Sequence, residues 1–473
     1  KVIPGYSQQF VRDYLGDASN GNTIEDPQLM SVSRNLVAPD GLLDPRPMMT
    51  SPAFTNDLAD VPMDGFFLDA PYQGAFGPGD LWIDRWTFLS QSGVAVQLRQ
   101  NEISLTDSDI NAGDIYMMTS DNIYVLEDMV FVEEGAQLWI EAGTIIQGKE
   151  GQEDDAKALV ICQGAKIYAM GTPVQPIIFT AYGDNPYDLD DGFELTETGL
   201  WGGLLILGKG PNNNVSSDGV KNIEGIVETE VRGRYGAKEG EWNAMDDSGV
   251  LMFVSIRHGG TDIGDGNEIN GLTMGAVGAG TDISFVEVWY NSDDGFEFFG
   301  GNVKTKYLVS AFNKDDSFDY DEGFNGWGQF WFSIQNGARG NMAGEHDGGN
   351  KPDDSNPYAI PFVTNATYVG AGVGSDNSKS KGLHLRDNAG GKYFNSIFTE
   401  TTGKGLDIED LEADDPNSAV EDSRKRMEAM ELQLQHNFWW SIETEGASSL
   451  DVISPDVPDS EKDGKVIPGY SQQ

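Results

Sequence analysis

An internal beat of about 22 residues constrains this chain more than any other feature. Residues 291–298 read NSDDGFEF and residues 313–320 read NKDDSFDY, an offset of 22 (313 − 291). The stretches just before them keep that offset, FVEVWY (285–290) against YLVSAF (307–312). GLHLRDN (382–388) and GLDIEDL (405–411) match at 23 (405 − 382), and GAQLWI (135–140) and GAKIYA (164–169) at 29 (164 − 135). The acidic insertion GQEDDAK takes up the excess in the last pair. A unit this short holds two or three strands and cannot bury its own apolar side, so successive units must stack.

Short alternating or apolar strands with glycine or asparagine at the corners describe one rung of a right-handed parallel β-helix, rungs lying about 4.8 Å apart. The expected class is therefore all-β, a solenoid with rungs of about 22 residues. The leucine-rich-repeat consensus is absent, as is the period of about 40 residues that a propeller blade requires. Apolar runs such as LLIL (204–207) suit buried strands, and no run is long enough to span a bilayer, so no membrane insertion is expected. Cys162 is the single cysteine; it allows no intramolecular disulfide and reads as a small buried hydrophobe.

Three segments are expected: an extended capping arm over 1–100, the β-helix over 101–464, and 465–473, where KVIPGYSQQ repeats residues 1–9 letter for letter. Prolines in the arm at 39, 45, 47, 52, 62, 71 and 78 bar it from a regular sheet interior. Its anchors would be Phe66, Phe67, Tyr72, Phe76, Trp82 and Trp86. Residues 344–358 (GEHDGGNKPDDSNPY) read as a turn-rich loop or a further calcium site, and 415–430 as a short exposed helix running into a strand marked by Leu432 and Leu434.

In-register stacking has a chemical consequence. It lays Asp293 over Asp315, Asp294 over Asp316 and Glu297 over Asp319, with Asp321 and Glu322 adding oxygens beside them. Carboxylates one strand apart repel, so either their pKa values rise or cations sit between them. Oxygen ligands without His or Cys point to structural Ca2+ rather than zinc, held by Asp293, Asp294, Glu297, Asp315, Asp316, Asp319 and Asp321. A solvated acidic edge is the alternative. With 30 basic against 77 acidic residues and a formal charge of -47, the chain lacks the basic face that nucleic acids and anionic membranes need.

Several long segments carry a resemblance. VFVEEGAQLWIEAGTIIQGK (130–149), LWGGLLILGKGPNNN (200–214), NEINGLTMGAVGAGTDISFVEVWYNSDDGFEFFGG (267–301), DDSFDYDEGFNGWGQFWF (315–332) and LRDNAGGKYFNSIF (385–398) resemble a family of secreted bacterial right-handed parallel β-helix proteins. These pectate-lyase-like solenoids are largely uncharacterised. They occur among surface proteins and lipoproteins exported through a type IX system. The resemblance implies an extracellular or cell-surface location.

The order of segments departs from that family. Residues 26–95 resemble its closing segment but come first, and its opening strand begins only near residue 124. Together with the nine-residue duplication, this reads as a window on something periodic, with a period of 464 (465 − 1). The expected function is an extracellular structural protein, a head-to-tail homopolymer forming a filament or sheath. Lys1, Val2, Ile3, Pro4, Tyr6, Trp82 and Trp86 would make the polymer contact.

The alternative is a calcium-dependent polysaccharide lyase or hydrolase, or a glycan-binding adhesin. Its candidates are the same aspartates with Arg257, His258, His384, Arg386 and Asp387, able to act as acid–base pairs if suitably spaced. No nucleophile elbow, phosphate loop, zinc signature or dinucleotide fingerprint occurs. No catalytic residue is therefore assigned.

Overall fold

The computed structural model describes residues 25–34, 40–55, 58, 70–77, 81, 83, 87–91, 94, 101–152, 155–186, 193–214, 219–264, 267–349, 355–409, 422–443 and 453–456. The chain separates into two compact units, Lys1–Arg99 and Gln100–Gln473. In the first, Leu29–Ser31 pairs antiparallel with Asp44–Pro47. A two-stranded ribbon has two free edges, which is why prolines at 45 and 47 are tolerated. Leu81 and Ile83 form a small apolar cluster with Leu43 and Phe76. Lys1, Val2, Ile3, Pro4, Tyr6, Phe66, Phe67, Trp82, Trp86 and residues 465–473 lie outside the described residues.

The second unit is a right-handed parallel β-helix. Each rung runs through three stacked sheets. Sheet 1 climbs from Ile115–Met118 through Gln137–Ile140 and Lys166–Met170 to Gly391–Phe394 and Leu432–Gln435. Sheet 2 climbs from Asn101–Leu105 and Asn122–Leu126 to Ile397–Thr399 and Phe438–Trp440. Sheet 3 is a ten-stranded stack from Val130–Val132 to Ile453–Asp456. The sequence matches are neighbouring rungs in register: Leu138 on Ile167, Val286 on Leu308, Glu297 on Asp319 and Leu383 on Leu406.

The interior is an aromatic column. Phe296 stacks on Phe318 at 5.3 Å, and Phe318 on Trp331 at 4.7 Å. Higher up, Tyr320 lies flat on His346 at 3.7 Å, and the Tyr393 hydroxyl is 2.7 Å from His346 Nε2. Burial pushes His346 down to about 3, so it is a neutral core residue. Cys162 is also buried, its thiol pushed up to about 12 by the same cause.

Four consecutive rungs cross from sheet 1 to sheet 2 without a break, as the bent strands Gly249–Arg257, Asp282–Trp289, Lys304–Ala311 and Trp327–Ile334. The bend falls on Phe253, Phe285, Tyr307 and Phe330, with φ of 51, 56, 56 and 59°. Bulky residues rarely adopt this left-handed conformation, which costs about 1–2 kcal/mol. Stacking offsets it. Successive rings lie 4.4, 4.3 and 4.8 Å apart, with planes within 19°. Asn365 and Asn395 occupy the same corner in later rungs, with φ of 56 and 55°.

Two local readings change. Residues 344–347 of the expected 344–358 loop belong to a sheet 3 strand, Met342–Asp347. Gly344 admits His346 beneath the strand, since a Cβ there would meet Nε2 at 2.6 Å. Within 415–430, the described helix is Ser423–Glu428, capped by Asp422, whose carboxylate accepts from Lys425 N at 2.8 Å. It is half sunk rather than exposed, because Met427 packs into the core and the Arg426 guanidinium lies 4.3 Å from the Tyr358 ring.

Candidate metal centre

The corner between sheets 2 and 3 carries the motif Asn-x-Asp-Asp in two consecutive rungs, at 291–294 and 313–316. Asparagine stacks on asparagine there. Asn291 N donates to Asn313 Oδ1 at 2.8 Å, and Asn313 Nδ2 to Ser310 Oγ at 2.8 Å. Asn270, Asp294 and Asp316 then each accept a backbone amide from the next rung. Asp294 N donates to Asn270 Oδ1 at 3.2 Å, Asp316 N to Asp294 Oδ1 at 2.7 Å, and Met342 N to Asp316 Oδ1. This relay pins the corner while leaving further lone pairs on each carboxylate.

Two residues on, the chain enters sheet 3, whose outward positions align Thr273, Glu297, Asp319 and Glu345. Three overlapping groups result: Asp293, Asp294 and Asp315; Asp294, Glu297 and Asp319; Asp316, Asp319 and Glu345. Within each, oxygens from the three carboxylates lie within 4.8 Å of one another. Asp294 belongs to two groups, as does Asp319, so the set forms a continuous chain of oxygens along the helix axis.

Water is largely kept out: Asp293, Asp294, Glu297 and Asp316 are 5, 8, 8 and 2% exposed. An insertion between Leu207 and Gly249 packs on the outside of sheet 3; its hairpin pairs Val220–Asn222 with Arg234–Gly236. Its Tyr235 packs against Phe299 at 6.1 Å, and Ile223 and Ile226 join an apolar cluster on the outside of sheet 3. Glu224 from the same insertion meets Glu297 through Asn270, whose Nδ2 donates to both carboxylates.

Such burial disfavours the charged state. Asp293 is pushed up to about 10, by burial first and then by the Asp294 carboxylate. Asp294, Glu297, Asp316 and Asp319 are all raised well above the usual carboxylate range, again by burial and then by neighbouring carboxylates. Glu224 rises to about 7, mainly through burial. Among the described residues, none of Asp293, Asp294, Glu297, Asp315, Asp316 and Asp319 forms an ion pair with Lys or Arg. Asp319 Oδ1 is buried and accepts no hydrogen bond. A cation in this chain of oxygens would meet both deficits, the missing countercharge and the empty acceptor.

At its upper end the cluster does meet bases. His384 Nδ1 lies 3.5 Å from Glu345 Oε1, and Arg386 Nη1 3.3 Å from the same oxygen. Burial pulls Glu345 upward, but the His384 hydrogen bond and the Arg386 charge outweigh it and hold Glu345 at about 2.

The chain matches the family model of the pectate-lyase-like β-helix domain over residues 110–453. It belongs to that family. No curated protein matches the chain, nor does any solved structure. In this pectate-lyase-like β-helix, six of the seven expected metal ligands come together in the three groups. Asp321 stands apart: it aligns with Phe299 on the other outward row, and burial and Glu322 raise it. Arg257 and His258 are also elsewhere. Arg257 Nε donates to Ser255 Oγ, and the His258 ring is held by the Glu197 carbonyl at 2.7 Å.

Glu224 escapes the sequence reading, and Glu345 enters it only within the separate 344–358 loop, not as part of the ladder. Glu345 follows Asp319 by 26 residues (345 − 319), which hides it from a comparison at an offset of 22. Glu224 comes from the insertion, which has no periodic counterpart. For Glu345 a usable signal exists, the outward position two residues before Asp347 in the next strand.

Proposed function

We propose that this β-helix is an extracellular or cell-surface calcium-binding protein that engages polysaccharide, as a binding module rather than a depolymerase. The observation that carries it is the chain of six carboxylates plus Glu345, four of them buried, with overlapping oxygen clusters and, among the described residues, no Lys or Arg paired to the six. All-oxygen donors of this number suit calcium, which accepts six to eight oxygens in flexible geometry. The family supports polysaccharide as the ligand class. Binding is favoured over cleavage because Asp293, Asp294, Glu297 and Asp316 are buried, whereas a general acid must reach the glycosidic oxygen.

Calorimetric titration of chelator-treated protein with CaCl2, followed by cosedimentation with insoluble polysaccharides, tests both halves. Saturable calcium heat and calcium-dependent pelleting are expected. The absence of calcium heat removes the metal reading. Release of reducing ends or unsaturated uronides replaces the binding module with an enzyme.

A second reading, head-to-tail assembly, draws on the terminal rungs. Among the described residues, Ile115–Met118 and Leu432–Gln435 each pair on one side only, as do Asn101–Leu105 and Phe438–Trp440. Ile115 and Met117 at one end, and Phe438 and Trp440 at the other, are exposed apolar side chains. Open parallel edges of this kind invite strand addition. Electron microscopy of native material should show filaments; isolated particles at high protein concentration would remove this reading.

A further inference from the structure

The insertion between Leu207 and Gly249 leaves the third strand of sheet 3 but is bonded along most of that sheet. From the bottom, the first seven strands are Val130–Val132, Leu159–Ile161, Leu204–Leu207, Leu272–Gly275, Phe296–Phe299, Phe318–Asp321 and Met342–Asp347. Six spacings of about 4.8 Å make this stack roughly 29 Å tall.

At the lower end the anchor is Arg232. Its Nη1 and Nη2 donate to the two oxygens of Asp107 at 2.8 and 2.9 Å, just after Asn101–Leu105, the lowest strand of sheet 2. Nη1 also donates to Glu133 Oε1 at 3.3 Å, and the guanidinium lies 4.0 Å from the centre of the Phe131 ring. One rung up, Gln163 Nε2 donates to the Gly236 carbonyl at 2.8 Å. Above the insertion's own rung, Asn270 Nδ2 donates to Glu224 Oε1 at 3.1 Å, and Tyr235 packs against Phe299. Glu322, after the sixth strand, accepts from Lys221 Nζ and from the Tyr235 hydroxyl, both at 2.5 Å. Asn213 Nδ2 reaches past the seventh strand, to the carbonyls of Gly348 and Pro357 at 2.9 and 3.2 Å.

In an ordinary solenoid each rung touches only its neighbours, so rungs open from the ends one after another. This insertion adds bonds that skip rungs. We infer that it is a longitudinal strap that ties the lower seven rungs into one cooperative unit, with Arg232 as its lower anchor and Asn213 as its upper one. Opening a single rung breaks a strap contact while the remaining rungs still hold the hairpin in place. Letting go in the middle is costly as well, because Glu322 and Tyr235 are 2 and 1% exposed and would be left as buried polar groups without partners. A pull along the helix axis therefore loads the seven rungs together. Lys381–Arg386, Leu406–Glu409 and Ile453–Asp456 stand above the last anchor and open as a separate, weaker unit.

Hydrogen exchange of the full chain at rising guanidinium concentration, read by mass spectrometry of peptic fragments, tests the strap. EDTA is present throughout, so that no cation adds to the coupling between rungs. Amides of the seven strands should share one opening equilibrium and one denaturant slope, and those of the three upper strands should open first. Opening equilibria that grade rung by rung from Phe318–Asp321 down to Val130–Val132 overturn the strap. A single value over all ten strands overturns its upper boundary. In Arg232→Ala, Val130–Val132 should leave the block and exchange about tenfold faster than the strands above it. In Asn213→Ala, Met342–Asp347 should do the same at the other end. Retention of either strand in the block removes that residue as an anchor. Should a variant fail to fold, the pattern in the unsubstituted protein still decides between a strapped block and independent rungs.

Discussion

Glu297 and Asp319 stand directly opposite one another on adjacent parallel strands, both facing outward and neither paired to a base. Without a cation this pair is repulsive; with one it is a bridge. The two states therefore predict opposite signs for one substitution. In EDTA at neutral pH, Asp319→Asn should melt above the unsubstituted protein, because the fold no longer has to hold that carboxyl protonated while the unfolded chain ionises it. In saturating calcium it should melt below, having lost a ligand. Ligand at a hundredfold excess over Kd adds roughly 2.7 kcal/mol. Scanning calorimetry in both buffers checks the crossing, and an Asp319→Asn effect of one sign in both would exclude a structural cation here.

The same carboxylates set a pH dependence. Their folded-state pKa values lie above those of the unfolded chain, Asp293 at about 10 and Glu224 at about 7. Below about pH 4 both states are protonated and the carboxyls leave stability unchanged. As pH rises from there, the unfolded chain releases protons that the metal-free fold retains. Stability then falls until each folded value is passed. Chelator-treated protein should thus lose melting temperature between pH 5 and 8, and calcium should flatten the slope. A chelated protein that gains stability over that range would contradict the raised values.

At the aromatic corner, glycine should outperform alanine. Tyr307 has φ of 56° and is stacked on both sides by Phe285 and Phe330. Tyr307→Ala loses both stacks and keeps the unfavourable backbone. Tyr307→Gly loses the stacks but relieves the backbone, and should be the more stable variant by about 1 kcal/mol in urea unfolding. The usual ranking, alanine above glycine, would mean that the corner is not strained.

Trp331 is the central plate of the core column. It lies 5.5 Å from Phe298 and 4.7 Å from Phe318, and its Nε1 donates to Thr305 Oγ1 at 2.9 Å. Trp331→Ala should cost about 3–5 kcal/mol through the cavity it opens. Trp331→Phe should cost less, keeping most of the contact and losing the hydrogen bond. Guanidinium unfolding with a constant slope separates this from a change in the unfolded chain.

Much of this architecture is written along the chain. In a stacked solenoid, equal spacing in sequence becomes vertical superposition in space, so the matches at 22, 23 and 29 residues already name rungs in register. The carboxylate ladder follows from the same rule, since residues on one outward row of parallel strands must stand one rung apart. Asp294, Glu297, Asp316 and Asp319 were legible for that reason.

Only the folded molecule decides whether such a ladder is a wet edge or a closed site. The insertion bearing Glu224 and Tyr235 has no period, and its landing place on sheet 3 depends on apolar contacts between distant segments. The tertiary fold buries Asp293, Asp294, Glu297 and Asp316, and burial raises their pKa values. Glu345 joins them across a rung of unequal length. On sheet 1, Lys304 and Lys306 read in sequence as ordinary exposed lysines. Rung-to-rung stacking sets Lys304 between Asp282 and Trp327, and Lys306 between Ser284 and Gln329.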